Sequence, residues 1–205
     1  MSERRAHWER VWTERAPFEV SWYQPEPEVS LRLVTAVTGP ADAVVDVGGG
    51  VSALVLALAG RGYRDLTVVD HAAPALDVLD RQLRLTLPRH RVALVASDVL
   101  TWTPDRAYRC WHDRAALHFL TEPAERRAYA EAAAAAVEPG GHVVLAGFAA
   151  DGPERCSGLP VHRCGPEELA TLFARSFDLV GCADDHHLTP WHAPQHFQYV
   201  TLRRR

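Results

Sequence analysis

From residue 43 onward, short apolar runs alternate with longer stretches whose apolar positions recur at helical spacing. Ala43–Val47 reads as a buried strand, and Gly48-Gly49-Gly50 turns the chain into a helix over Ser52–Gly60. Leu66–Asp70 is a second strand, followed by a helix marked by Leu76, Leu79, Leu83 and Leu87. Val92–Ala96 and Tyr108–Asp113 are the third and fourth strands. Thr121 is placed to cap the next helix, with Pro123 in its first turn and alanines running through Ala136. Pro139-Gly140-Gly141 stops that helix, and His142–Phe148 makes a fifth strand. Pro166–Arg175 is a further helix with Leu169, Leu172 and Phe173 on its apolar face. Alternation of strand and helix predicts an α/β fold, a doubly wound parallel sheet covered on both faces. Phe177–His187 and Gln195–Leu202 then follow each other with no helix between them, so they must pair antiparallel. The expected sheet is seven-stranded, mostly parallel, and closed by a C-terminal antiparallel hairpin.

Residues 1–40 stand outside this pattern. They carry Trp8, Trp12, Trp22 and Tyr23 among prolines 17, 25 and 27, which predicts a helix-and-loop extension. No internal repeat or linker interrupts the chain, and its 205 residues fit one domain: a leading segment over 1–40 and a core over 41–205.

Composition narrows the chemistry. A net charge of −4 argues against a nucleic-acid surface, and the Arg203-Arg204-Arg205 tail reads as a solvated end. No run approaches the ~20 apolar residues of a membrane helix, and the first residues hold no apolar stretch of signal-peptide kind. The sequence has no lysine, isoleucine or asparagine, residues with AT-rich codons, which points to a GC-rich bacterial genome. Without lysine, Schiff-base catalysis and the phosphate-loop lysine are closed. Cys110, Cys156, Cys164 and Cys182 form no C-x-x-C pair, so they read as reduced thiols of a cytoplasmic protein. Nothing in the pattern fixes an oligomeric state.

The sharpest chemical signal is Asp46-Val47-Gly48-Gly49-Gly50, which follows a strand and opens a helix. Its glycines admit close approach of a ligand, and the helix N-terminus offers free N–H groups. Gly48, Gly50 and Ala53 also satisfy the dinucleotide pattern G-x-G-x-x-A, with Asp70 near the distance of a ribose-binding acid, so a nicotinamide dehydrogenase has to be weighed. Asp46 speaks against it, because a carboxylate there would repel a pyrophosphate but attract a sulfonium and an ammonium. Asp98, closing the third strand, suits an adenine amino group. With Pro139-Gly140-Gly141 before strand five, these acids resemble the motifs of class I S-adenosylmethionine-dependent methyltransferases over about residues 43–205. The resemblance implies a Rossmann-like core and S-adenosylmethionine as cofactor. Asp46, Gly48, Gly49 and Gly50 would then face the methionine part, Asp70 with His71 the ribose, and Asp98 with Val99 the adenine. Trp8-Glu-Arg-Val-Trp12, Phe18 and Trp22-Tyr23-Gln24 resemble the leading segment of small-molecule methyltransferases, the thiopurine and thiol group among them. That likeness implies an N-terminal helical lid, with a packing helix of buried tryptophans as the alternative.

Methyl transfer needs an oriented acceptor and a dry site, and a base only when the acceptor starts protonated. Asp113 at the end of strand four and His118 on the loop beyond are the expected catalytic residues, because ligands bind outside the carboxyl ends of strands. His112, inside the strand, reads as a packed core histidine. The glycine-rich loop after strand five offers Cys156 to a soft acceptor or a metalloid, and Trp22, Tyr23 and His187 complete the expected acceptor contacts. His186, His187, His192 and His196 crowd the hairpin, but alternating side chains keep adjacent histidines off one site, so no metal is expected. The activity this implies is methyl transfer to a small-molecule nucleophile: a thiol, metalloid or nitrogen metabolite. A protein-lysine methyltransferase is the enzymatic alternative, and a non-catalytic cofactor-binding module the alternative of another class. An Asn-Pro-Pro-Tyr motif is absent after strand four, which disfavours amide and nucleobase nitrogens.

Overall fold

A computed structural model describes residues 3–205; Met1 and Ser2 lie outside the described residues. Strands β1 (Val44–Val47), β2 (Leu66–Asp70), β3 (Val92–Ala96), β4 (Tyr108–Arg114) and β5 (Val137–Phe148) form the parallel part of one sheet. Strand β8 (Phe177–Leu188) and strand β9 (Pro194–Arg204) close it as an antiparallel hairpin, with β9 paired to β5. The order β3-β2-β1-β4-β5-β9-β8 is the seven-stranded, Rossmann-like arrangement the alternation predicts. Chain direction reverses its lateral course beside β1, and a ligand crevice opens there at the carboxyl ends of the strands.

Side-chain alternation sorts the strands' residues onto two faces. Val45, Val47, Trp111, Val143 and Leu145 pack with α5 (Pro123–Ala136) and α6 (Pro166–Phe173). Val44, Val68, Cys110, Val144 and Ala146 pack with α2 (Glu28–Val37), α3 (Ala53–Gly60) and α4 (Ala73–Thr86). Asp46 and His112 therefore belong to the α2–α3–α4 face, and Asp113 to the α5 face. The first helix, α1 (Glu3–Glu14), packs on α4, with Val11 and Trp12 buried beside Ala72 and Ala75.

Four boundaries differ from the sequence reading, each for a local reason. The leading segment is not uniform, because Leu31 and Val34 of α2 sit in the sheet's own core; the part before Glu28 covers the crevice, while α2 reaches it through Ser30. Thr121 does not cap α5; Glu122 holds the N-cap position with no side-chain cap bond, and Pro123 supplies a first-turn residue with no N–H to satisfy. Pro139-Gly140-Gly141 lies inside β5, where the register jumps between Tyr108 and Cys110 and Gly140 takes a φ of 78°. The loop after β5 folds back as a small ribbon, β6 (Arg155–Cys156) with β7 (Leu159–Pro160). No helix among the described residues is long and apolar enough to cross a membrane.

Candidate active site

The glycine turn after β1 is held from three sides. Gly48 N–H donates to the Val69 carbonyl at 2.7 Å, and Gly50 N–H to Asp70 Oδ2 at 3.0 Å. Ser52 caps α3 by accepting from Val55 N–H, and its own hydroxyl donates to Asp46 Oδ2 at 2.5 Å. Gly48 and Gly50 have φ of 63° and 53°, and a Cβ on Gly48 would meet Ala116 Cβ at 2.3 Å. A Cβ on Gly49 would meet Asp46 Oδ2 at 2.6 Å, so the turn leaves room for backbone only.

Asp46, Asp70 and Asp98 all line one cleft over the strand ends, together with Gly48, Gly49, His71 and Val99. Asp70 Oδ1 also accepts from Ala72 N–H at 2.7 Å, and burial pushes its carboxyl up to about 6. Asp98 Oδ1 accepts from Leu100 N–H at 3.0 Å. Burial lowers the pKa of His71, keeping its ring neutral at the cleft edge. Gly50 is not itself a lining residue; it orients Asp70 and lies under the Trp12 ring, which a Cβ there would strike at 2.8 Å. Trp8, Trp12, Trp22 and Tyr23 wall the cleft from the N-terminal side, with Trp8 edge-on to Phe119 at 4.9 Å and to Trp22 at 5.6 Å. Cys156 joins them from β6, buried, its thiol pushed up to about 11 by desolvation.

The structure corrects three of the acceptor-side expectations. Asp113 does not line the cleft: it faces α5, accepts from the Tyr129 hydroxyl at 2.5 Å, and caps Ala116 and Leu117 N–H at 2.7 and 2.9 Å. Its lone pairs are spent on holding the turn after β4, and burial raises its pKa to about 6. His118 is sealed under that turn, with ring centroids 4.3 Å from Phe119 and 5.0 Å from Phe148, and neither ring nitrogen has a hydrogen-bond partner. Desolvation pulls its pKa down to about 3, so it stays neutral across the ordinary assay range. His187 hydrogen-bonds the Ser21 carbonyl at 2.7 Å and ties the hairpin to the leading segment rather than lining the cleft. Its neighbour His186 stacks on His196 at 4.4 Å on the opposite face, as alternation requires.

Two groups of β4 that the sequence reading did not place in the site line it. The β1–β4 register sets Asp46 opposite His112. His112 Nδ1 lies 2.7 Å from Asp46 Oδ1 and Nε2 lies 2.9 Å from the Ser30 hydroxyl, which meets the Tyr199 hydroxyl at 2.9 Å. A carboxylate cannot donate, so the imidazole presents an N–H at Nδ1 to Asp46, while Nε2 meets the Ser30 hydroxyl. Arg114, two residues on along the same face, is the second; a charged residue closing an otherwise buried strand was its only sequence signal.

Residues 44–141 match a family model described as a methyltransferase domain. No curated protein matches the chain. Among solved structures, N-methyltransferase NodS from Bradyrhizobium japonicum WM9, in complex with S-adenosyl-L-homocysteine, superposes with a TM-score of 0.75 at 17% identity, covering 99% of both chains. A 1,6-didemethyltoxoflavin-N1-methyltransferase from Burkholderia thailandensis gives 0.69 at 23%, covering 95% of this chain and 80% of that one. Magnesium protoporphyrin IX methyltransferase from Synechocystis PCC 6803 gives 0.70 at 15%, covering 100% and 92%. The donor set agrees with such a cofactor: carboxylates and a side-chain-free turn suit an ammonium, a sulfonium and ribose hydroxyls, and would repel a pyrophosphate.

Proposed function

We propose that this chain, whose residues 44–141 match a methyltransferase domain, is a class I S-adenosylmethionine-dependent methyltransferase that methylates a small molecule at a soft or nitrogen nucleophile. When bound, S-adenosylmethionine supplies a methyl group already activated on a sulfonium. In this reading Asp46 and the Gly48–Gly49 turn receive the methionine end, Asp70 accepts from the ribose hydroxyls, and Asp98 with Val99 takes the adenine. The observation that carries the proposal is the cleft itself, which joins three strand-end carboxylates to an aromatic chamber built from Trp8, Trp22, Tyr23 and Phe119.

What remains for the protein is orientation and exclusion of water. The tryptophan wall does both, and it leaves a chamber for a compact acceptor. An acceptor that arrives protonated meets the Ser30 hydroxyl, from which the proton passes to His112 Nε2 while Asp46 steadies the ring through Nδ1. Cys156 keeps its proton near neutrality and serves as a soft wall rather than a nucleophile. The four free cysteines suit a reducing, cytoplasmic setting.

The test is transfer of label from S-adenosylmethionine carrying a deuterated methyl group, offered separately to small thiols, amines and phenols and to a lysine-containing peptide. Mass spectrometry should find the label in a small thiol or amine. Label found only in the peptide lysine would overturn the reading in favour of a protein methyltransferase, and S-adenosylmethionine bound but never consumed would favour a binding module.

A further inference from the structure

Away from the cleft, one further group of metal-ligating side chains comes together among the described residues. His162, Cys164 and Glu168 each offer one ligand atom, and the three atoms lie within 4.8 Å of one another. They come from the connection between β7 and α6: His162 and Cys164 from residues 161–165, which lie outside any strand, and Glu168 from the first turn of α6. The alternation that keeps the hairpin histidines apart therefore has no hold here. The backbone that carries these side chains is anchored. His162 N–H donates to the His118 carbonyl at 2.7 Å, and the Arg163 guanidinium donates to the Ala150 and Gly152 carbonyls at 2.8 and 3.0 Å. Cys164 is buried in the core that α5 and α6 share, whereas His162 is half-buried and Glu168 exposed, so an ion has a way in from solvent.

Imidazole nitrogen, thiolate sulfur and carboxylate oxygen together are the donor types of zinc(II), which in open sites takes three protein ligands and leaves the fourth position to water. Tetrahedral bonds of about 2.0–2.3 Å set donor atoms about 3.3–3.7 Å apart. His162 Nε2 and Glu168 Oε1 stand 2.6 Å apart as a hydrogen-bonded pair. A metal would part them by about 0.7 Å, which rotation of the exposed Glu168 side chain covers. We propose that His162, Cys164 and Glu168 form a zinc(II) site that clasps the β7–α6 connection to the first turn of α6. Thiolate and carboxylate neutralise the dication between them. Desolvation, and then the Glu168 carboxylate, push the Cys164 thiol up to about 12. A dication inverts that balance: the S–H bond breaks, its proton passes to the buffer, and the sulfur–metal bond forms. Because His162 is tied through its backbone to the turn that carries Phe119, the clasp also braces the aromatic wall from behind.

The test uses the full chain, stripped with a chelator, desalted, and titrated with zinc(II) by calorimetry and with cobalt(II), its spectroscopic stand-in, by absorption. One equivalent of cobalt(II) should bring a sulfur-to-metal charge-transfer band together with the visible bands of a tetrahedral ion, and zinc(II) should bleach both. Zinc(II) at about a hundredfold excess over its Kd should raise Tm by about 5–10 °C. Cys164→Ser should abolish the charge-transfer band and, like His162→Gln, weaken zinc(II) by about a hundredfold or more, since an outer-shell partner alone is worth about 10–100-fold. His196→Gln, on the hairpin, should change neither reading. Absence of the charge-transfer band in wild type, a band that survives Cys164→Ser, or zinc(II) affinity lost with His196→Gln and kept with Cys164→Ser would each overturn the inference. Where Cys164→Ser fails to fold, the half-buried His162 decides, and unchanged zinc(II) affinity in His162→Gln would sink the site.

Discussion

Burial holds the Asp70 carboxyl near a pKa of about 6, although the backbone N–H groups of Ala72, Gly50 and His71 pull it the other way. A carboxylate whose folded pKa is raised favours the protonated fold. Its contribution to stability is therefore full below the unfolded value of 3.8 and lost as pH rises through 6. Ribose hydroxyls donating to Asp70 favour the ionised form instead, so cofactor affinity should run opposite to that trend. Calorimetry between pH 5 and 7 should show S-adenosylhomocysteine binding tighten by about tenfold with release of a proton, and Asp70→Asn should flatten the profile. His118 behaves in the reverse sense. Its pKa, lowered to about 3 by desolvation, favours the neutral fold. The stability it lends is present above the unfolded value of 6.5 and drains as pH falls toward 3. His118→Phe should leave turnover within about threefold of wild type, because a buried ring off the cleft performs no proton transfer. In urea unfolding the variant should lose less stability than wild type between pH 6.5 and 4. A hundredfold loss of turnover in His118→Phe would restore the ring to the chemistry.

The leading segment divides at Glu28, and truncations should expose the division. Helix α1 and the residues up to Gln24 cover the cleft with Trp8, Trp12 and Trp22, while α2 buries Leu31 and Val34 in the core and reaches His112 through Ser30. Removing residues 1–24 should keep a cooperative thermal transition in circular dichroism but abolish methyl transfer. Removing residues 1–40 should abolish the transition as well, since each large apolar side chain withdrawn from a packed core costs about 2–5 kcal/mol. Full turnover in the shorter truncation would show that the tryptophan wall is dispensable. The hidden place of α2 is instructive about what the sequence discloses. Strands β1 and β2 were legible because fully buried parallel strands read as short continuous apolar runs, and the edge strand β3 because its run is apolar although half exposed. Helix α2 was not, since prolines 17, 25 and 27 masked its start, and the β6–β7 ribbon was too short to leave a pattern, its turn resting on Ser157 and Gly158 at φ of 49° and 79°.

Taken whole, the molecule is a sheet whose register decides which residues meet. The acids at the ends of β1, β2 and β3 were legible as a site because each closes an apolar run, whatever the register. His112 and Arg114 were not, because their face follows from the pairing of β4 with β1, which brings His112 opposite Asp46 and leaves Asp113 pointing at Tyr129. One residue of slip would exchange these roles. The cleft's chemistry accordingly rests on the acidic trail, and Asp70 is its best-defined member. Calorimetric titration of wild type and Asp70→Ala with S-adenosylhomocysteine and with NAD tests that claim most directly. The account predicts binding of S-adenosylhomocysteine and no heat with NAD, with Asp70→Ala weakening the former by roughly 1.5–3 kcal/mol through lost charged hydrogen bonds. Heat with NAD and none with S-adenosylhomocysteine would contradict it.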